Sequence, residues 1–337
     1  MNERRVILGF SGGIDSSAAV SLLRDQGYDI TALTLDMTGD RSLLDKAQRR
    51  AGELSVPLRV RSVRDTFGRE VVDYFTDSYR HGRTPAPCTR CNSRIKWPYL
   101  AAEADALGIP FLATGHYFRI TQQNGKYYVT RATDLRKDQS YYLWDLPQEI
   151  LARTVTPMGN VIKQEVAAQS SDRRESMGIC FLGRESVCDF LQRRAGAFVS
   201  GEIVDSEGRT LGRHDGVALY TIGQKRGLNL PGGYAVVGID AESNRLIVGT
   251  NNELFHATLE VGQCRLVDPD EVFATRDLQV VIRGIGRNPA AGAVVIPTRS
   301  GIRIELDDPA WAPAIGQPVV LYCGDRVVGG GILEGYR

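Results

Sequence analysis

The sequence lacks any apolar run near the roughly 20 residues that a membrane-crossing helix needs, which argues against a helical span. No signal peptide is expected from its opening residues: MNERRVILGF enters a short apolar stretch at once, and SGG breaks it before a cleavage site could follow. A cytoplasmic location is the expectation, and permanent disulfides are not expected there. Net charge is nearly absent, at +1, so no basic field covers the whole molecule. A nucleic-acid surface would have to be built from local patches. Internal repeats and low-complexity tracts are missing too. What remains is an ordinary globular composition, 42% hydrophobic and 24% charged. At 337 residues the chain exceeds one ordinary core and predicts two or three domains.

The N-terminal part alternates strand and helix patterns. RVILGF (5–10) reads as a buried strand, and AAVSLLRDQ as a helix stopping at Gly27. ITALTL (30–35) is the next strand, then a helix at 42–54, the strand PLRVRSV, and helical pattern at 65–80. YLAAEADALG is a helix, PFLATGH a strand, and GKYYVTRA (125–132) an antiparallel excursion. This order predicts an α/β domain: a parallel sheet with helices on both faces. Near residue 197 the texture changes to short β runs broken by Gly, Asn, Asp and Pro, with no amphipathic helix of any length. The expected division is an α/β domain at 1–198, a small β domain at 199–257 and a second at 258–337, the last a β-barrel. LDDPAWAPAIGQP, inside that last part, reads as a turn-rich loop.

GFSGGIDSS (9–17) follows a strand and opens a helix. Adjacent glycines let the backbone turn tightly and bring N–H groups close to a ligand. Ser11, Ser16 and Ser17 add hydroxyls, and the helix start favours an anion. No Gly-Lys-Ser/Thr closes the loop and no GxGxxG is present, so it is neither a Walker A loop nor a dinucleotide fingerprint. SGGxDS is the form found in enzymes that split ATP into AMP and pyrophosphate. Asp15 is either a ligand of Mg2+-pyrophosphate or a first-turn acid.

Six cysteines are present: Cys88, Cys91, Cys180, Cys188, Cys264 and Cys323. In a reducing compartment each is a buried small residue or does chemistry. TPAPCTRCNSRIKW (84–97) holds two of them among Arg90, Arg94 and Lys96. Alone it fits half a zinc site, a redox pair, a cluster anchor or a nucleophile beside positive charge. Further along come ATGHY (113–117), KDQS (137–140), SMGICFLG (176–183) and GQKRGL (223–228). His116, in the first of these, either orients a phosphate or packs at a strand end.

Taken in order, SGGIDSS, TPAPCTRCNSRIKW, ATGHY, KDQS, GICFLG and GQKRG resemble the tRNA-specific 2-thiouridylase family over nearly the whole chain. The resemblance implies an ATP domain, a small central β domain and a C-terminal barrel. It implies replacement of O2 of a wobble uridine in tRNA by sulfur, with adenylation first. The run Gly9, Phe10, Ser11, Gly12, Gly13, Ile14, Asp15 and Ser16 would bind the nucleotide, with Gly12, Gly13, Asp15 and Ser16 on its pyrophosphate half. Leu35 and Gly115 match positions that contact the adenosine. Cys180 would carry a persulfide from a donor, a cysteine desulfurase or relay protein, and Cys91 would be the second catalytic thiol. Sulfur release would leave a Cys91–Cys180 disulfide to be reduced. Arg90 and Arg94 would lower the pKa of the Cys91 thiol. Ala86, Pro87, Cys88, Lys137, Asp138, Gln139, Lys225, Arg226 and Arg283 fall on tRNA-contacting positions. Binding through such local basic clusters should weaken with salt.

Three departures stand out. Many relatives have Asp where this chain has Cys88. Cys88, Cys91 and Cys180 thereby become a three-thiol set that could hold a [4Fe–4S] cluster with one open iron. DMTGD replaces a Trp-containing segment after Leu35. Arg283-Gly284 stands where relatives have Arg-Tyr, so an aromatic that could stack on RNA is missing there. Two other readings share the loop: an AMP-forming ligase of a small metabolite, and a thiolating paralogue with a different tRNA set. A module that has lost ATP chemistry but binds RNA or carries sulfur is disfavoured by the intact GGIDS.

Overall fold

The computed structural model describes residues 4–164, 178–196, 198–284 and 286–337. It divides into two compact units. One holds Met1–Val71, Cys88–Met177 and Asp325–Val327; the other holds Val72–Pro87, Gly178–Gly324 and Val328–Arg337.

The first unit is built on β1 (Arg5–Gly9), β2 (Asp29–Asp36), β3 (Leu58–Ser62), β4 (Phe111–Thr114) and β7 (Thr154–Val155). All pair in parallel, in the order β3-β2-β1-β4-β7. The side-chain period of two divides β1 between two cores. Val6 and Leu8 join Ile30 and Ala32 under helix α1 (Ile14–Asp25), which contributes Ala19, Val20 and Leu23, and helix α2 (Arg41–Glu53), which contributes Ala47 and Ala51. Ile7 turns the other way, where the helix Trp97–Ala106 packs on β1 and β4. Helices therefore cover both faces, as the alternating pattern predicts. The chain runs outward in one direction from β1 to β2 and β3, and in the other from β1 to β4 and β7. The strand order thus switches between β1 and β4, and the loops leaving their carboxyl ends border the crevice where open α/β sheets bind ligands. GKYYVTRA forms β6 (Lys126–Thr130), antiparallel to β5 (Arg119–Gln123) as expected.

The second unit carries a four-stranded sheet: β8 (Gly201–Asp205), β9 (Thr210–His214), β10 (Ala235–Asp240) and β11 (Arg245–Gly249), ordered β10-β11-β8-β9. Ile203, Val236, Leu246 and Val248 are buried in its core. Six further strands follow: β12 (Phe255–Leu266), β13 (Gln279–Val281), β14 (Ala293–Pro297), β15 (Gly301–Trp311), β16 (Pro318–Cys323) and β17 (Arg326–Tyr336), ordered β13-β16-β17-β12-β15-β14. Glycine marks their closest approaches: a Cβ at Gly301 would lie 2.1 Å from the Val261 carbonyl oxygen. LDDPAW is not a loop. It finishes β15, with Ala310 and Trp311 opposite His256 and Phe255, and the register with β12 shifts between His256 and Thr258. Pro309 is tolerated because it sits in that irregular stretch, where no regular ladder bond is required.

Candidate functional site

The nucleotide loop begins where β1 ends. Phe10 is held to β2 from both sides: its N–H donates to the Leu33 carbonyl at 2.8 Å, and Thr34 Oγ1 donates to its carbonyl at 2.6 Å. The chain then turns through Gly12 at φ +68°, in the left-handed region. A Cβ there would meet Ala47 Cα of α2 at 2.8 Å. Gly13 is the N-cap of α1, and no side chain caps that end. The first-turn N–H groups, orphaned by helix geometry, are left to a ligand. Ser16 Oγ donates back to the Gly13 carbonyl at 3.1 Å, and Ser11 Oγ accepts from Gly13 N–H at 3.3 Å. The serines thus brace the turn from inside. From the other side of the crevice, Gly115 packs on the same first turn; a Cβ there would lie 2.9 Å from Ser16 N. Leu35 is half-buried at the end of β2. These close approaches of backbone to backbone fit a nucleotide cradle. Gly12→Ala should weaken ATP binding by at least about tenfold, or about 1.4 kcal/mol, as read by calorimetric titration. Unchanged affinity would show that the loop is only a connection.

Asp15 has partners that no local pattern announces. Tyr117 donates its hydroxyl to Asp15 Oδ1 at 2.8 Å, and the Lys163 ammonium binds the same oxygen. The Lys163 side chain is only 8% exposed against 39% for Asp15, so the cation is the buried member. Lys163 N–H donates to Asp134 Oδ2 at 3.1 Å, which fixes the backbone beneath it. A single cation in the stretch MGNVIK is the one local hint of this lysine.

The Tyr117 segment continues the path. Tyr117 N–H donates to Gln139 Oε1 at 3.0 Å, and Gln139 N–H donates to the Tyr117 carbonyl at 2.9 Å. Asp138 accepts from Ala132 N–H and from the Ser140 hydroxyl, at 2.8 and 2.6 Å, and burial pushes its carboxyl up from the usual range. Asp138 and Gln139 thus shape the KDQS turn, with Lys137 half-buried beside them. The next element, Ser140–Leu143, offers the Tyr142 carbonyl to Asn92 Nδ2 at 3.2 Å. Asn92 is the residue after Cys91. A chain of hydrogen bonds and short backbone links therefore joins Lys163 and Asp15, through Tyr117, Gln139 and Tyr142, to the Cys91 segment.

That segment is a helix interrupted by a wider turn. Pro87–Cys91 is α-helical, Asn92–Lys96 is a π turn, and Trp97–Ala106 resumes the α-helix. Pro98 supplies the reason: it has no N–H for the i−4 bond, and its ring crowds the preceding turn. The ladder slips to i−5, as in Trp97 N–H to the Asn92 carbonyl. Cys91, at the junction, is buried, whereas Cys88 is exposed. Ala86 is half-buried and Pro87 buried just before them. The Arg90 guanidinium binds Glu70 through the backbone carbonyl (2.5 Å) and the carboxylate (3.1 Å). Arg94 is exposed. Beside them His116 stacks on Trp97, with centroids 6.5 Å apart, and its Nδ1 lies 2.8 Å from Thr114 Oγ1. Burial, reinforced by the Lys96 cation, pushes it down to about 3, so His116 is a neutral imidazole at ordinary pH.

DMTGD has a structure of its own. Arg64 holds Asp36 at 2.5 and 2.8 Å, Gly39 turns at φ +80°, and Asp40 caps α2 through Ser42 N–H. The Arg64 bond keeps the Asp36 carboxyl below the usual range.

The remaining predicted residues lie in the second unit. Ser176 and Met177 of SMGICFLG fall outside the described residues. Phe181 packs into Phe75 and Phe190, with centroids 5.3 Å from each, and Cys180, its neighbour, is exposed. The aromatic thus anchors the turn that presents the thiol. Gly223 turns at φ +87°, and Gln224 closes GQKRG by donating to the Arg226 carbonyl at 3.0 Å; Lys225 and Arg226 are exposed. Arg283 donates to the Ala312 carbonyl and lies over Trp311. All six cysteines are free thiols. Among the described residues no three His, Cys, Asp or Glu side chains come together to hold a metal ion. Nor does any described helix have the length and apolarity to cross a membrane.

Comparison with known proteins covers nearly the whole chain. Family models match residues 4–184 as a tRNA methyl transferase HUP domain, 188–250 as a tRNA methyl transferase PRC-barrel domain, and 257–333 as an aminomethyltransferase β-barrel domain. The chain is similar to the tRNA-specific 2-thiouridylase MnmA of Moorella thermoacetica, 40% identical over 354 residues that cover 97% of this chain and 99% of that protein. The protein of the same name from Clostridium acetobutylicum is 34% identical over 356 residues, covering 98% and 100%. The tRNA-specific 2-thiouridylase MnmA 2 of Phocaeicola vulgatus is 36% identical over 347 residues, covering 98% of each.

Proposed function

The chain belongs to the tRNA-specific 2-thiouridylase family, and we propose that it replaces O2 of the wobble uridine of tRNA with sulfur in an ATP-dependent reaction. One observation carries this reading: within one compact unit, hydrogen bonds link an anion cradle at the start of α1 to the helix that bears a buried cysteine. A small-metabolite ligase has use for the cradle and none for the thiol. Methyl transfer, which the family descriptions name, has no use for a pyrophosphate cradle.

ATP, taken as its Mg2+ complex, supplies an adenylyl group that turns O2 of the uridine into a leaving group, with pyrophosphate released. Gly9 to Ser16 hold the phosphates through backbone N–H groups, and Leu35 and Gly115 border the adenosine. Asp15 is the carboxylate of this loop, and it keeps the Lys163 ammonium aimed at the pyrophosphate end. Cys180, loaded as a persulfide by a donor, attacks C2 through its outer sulfur as the C2–O bond to AMP breaks. The Cys91 thiolate then attacks the inner sulfur of Cys180. The S–S bond to the transferred atom breaks, its electron pair stays as the thiocarbonyl sulfur, and a Cys91–Cys180 disulfide forms. An external thiol reduces that disulfide. Ala86, Pro87 and Cys88 border the target base, while Lys137, Lys225, Arg226 and Arg283 hold the tRNA. In this scheme residues 1–198 form the ATP and thiol domain, 199–257 the central β domain and 258–337 the barrel.

Reconstitution with unmodified tRNA, ATP and a persulfide source, followed by nucleoside mass spectrometry, tests the reading. 2-Thiouridine should appear only when all three are present. Its absence under both aerobic and anaerobic conditions, with pyrophosphate exchange intact, would point to the ligase instead.

A further inference from the structure

The helix that bears the buried cysteine carries two polar side chains whose hydrogen bonding is incomplete. Asn92 is 2% exposed and Thr89 4%. Among the described residues, Asn92 Oδ1 and Thr89 Oγ1 meet no hydrogen-bond partner. A buried polar atom left so costs stability, and in a folded protein it calls for an explanation. The Asn92 amide cannot relieve this by turning over. Its Nδ2 donates to the Tyr142 carbonyl at 3.2 Å, and a reversed amide would set oxygen against oxygen. Oδ1 is therefore held as an acceptor. The backbone holds it as well: Asn92 opens the π turn, and its carbonyl takes the i−5 bond from Trp97 N–H. Residues three and four apart are neighbours on a helix surface, so Thr89 and Cys88 lie beside Asn92. Tyr142 borders the same face: burial, and then the nearby Cys88 thiol, push its hydroxyl up from the usual range.

We propose that Asn92 Oδ1 accepts the N3–H of the target uridine and so selects uridine over cytidine. The reaction takes place at C2, where the two bases are alike, since both carry O2. They differ along the rest of that edge. Uridine presents N3–H as a donor and O4 as an acceptor; cytidine presents a bare N3 as an acceptor and an amino group as a donor. Unpaired bases are commonly read on this edge. A fixed acceptor pairs with the first and repels the second, because two lone pairs then face each other. Thr89 Oγ1 can donate to O4, but a hydroxyl also accepts, so discrimination falls to Asn92. Asn92 and Cys91 are adjacent and both buried, so the step that admits a base to the thiol also admits it to Oδ1. The inference rests on the reading of the chain as a tRNA-thiolating enzyme.

Competition binding of the full-length protein to one tRNA transcript, made with uridine, cytidine or N3-methyluridine at the target position, tests it. The parent should prefer uridine to either replacement by about tenfold or more. Asn92→Ser offers a hydroxyl that donates or accepts, so its preference for uridine over cytidine should fall to near unity. Asn92→Asp keeps an acceptor and loses the N–H that holds Tyr142, so its preference should stay parental even where its affinity drops. The two variants separate reading from structure. A merely structural asparagine would, when replaced, lower affinity for all three transcripts alike, and that result overturns the inference. So does a parental preference in Asn92→Ser. If Asn92→Ser does not fold, the parent and Asn92→Asp decide: equal affinity for the three transcripts in the parent, or in Asn92→Asp beside a selective parent, overturns it. A parent that binds none of the transcripts would instead overturn the tRNA reading itself, and this inference with it.

Discussion

Cys180→Ser should abolish 2-thiouridine formation, by at least about a thousandfold on the scale of lost nucleophilic residues, while tRNA-dependent pyrophosphate release continues. Cys91→Ser should lose as much product for a different reason. With Cys180 exposed and Cys91 buried, a donor can load the first thiol without the second. The Cys91→Ser protein should therefore accumulate a persulfide, visible as one added sulfur by intact-mass measurement, and Cys180→Ser should not. In the proposed scheme Cys188, Cys264 and Cys323 take no part, so serine there should leave product formation near the parental level. Activity that survives loss of both Cys91 and Cys180 would favour the ligase. The asymmetry in persulfide loading is the sharper test, because it separates the roles of two thiols that both abolish turnover.

The topology was legible because its signals are local and repeated. Buried strands such as RVILG alternate with amphipathic helices, and the SGG turn sits where strand order switches. The candidate thiols were legible only through their ordered motifs; neither spacing nor charge told exposed Cys88 from buried Cys91. Burial depends on what packs against the helix. Arg90 illustrates the point: in sequence it is a cation beside a thiol, and in the structure its charge is met by Glu70, 20 positions away. LDDPAW failed in the opposite direction. Asp and Pro are turn formers locally, but pairing with β12 supplies ladder bonds and an aromatic partner that composition cannot reveal. The Arg283–Trp311 contact is of the same kind, formed only when two strand ends meet.

The pair Asp15–Lys163 gives the second large effect, because its members are 148 positions apart and unequally buried. Removing one partner of a buried pair leaves the other charge uncompensated, at a cost of about 3–5 kcal/mol. Asp15→Asn takes the carboxylate from a cation that is only 8% exposed, so it should destabilise the first unit by about 3 kcal/mol. Lys163→Met removes the buried charge and leaves Asp15 with 39% exposure and the Tyr117 hydroxyl, so its cost should be nearer about 1 kcal/mol. Activity should rank the other way. On the proposed reading Lys163→Met removes the cation at the pyrophosphate end, and ATP–pyrophosphate exchange should fall by at least about a hundredfold, or about 2.7 kcal/mol. In Asp15→Asn the amine remains in place but loses its orientation, and the loss should be smaller. Denaturant titration and pyrophosphate exchange on the two variants measure both rankings. If Lys163→Met proves the less stable of the two, or exchanges pyrophosphate at the parental rate, the lysine is a structural counterion and the loop performs its chemistry without it.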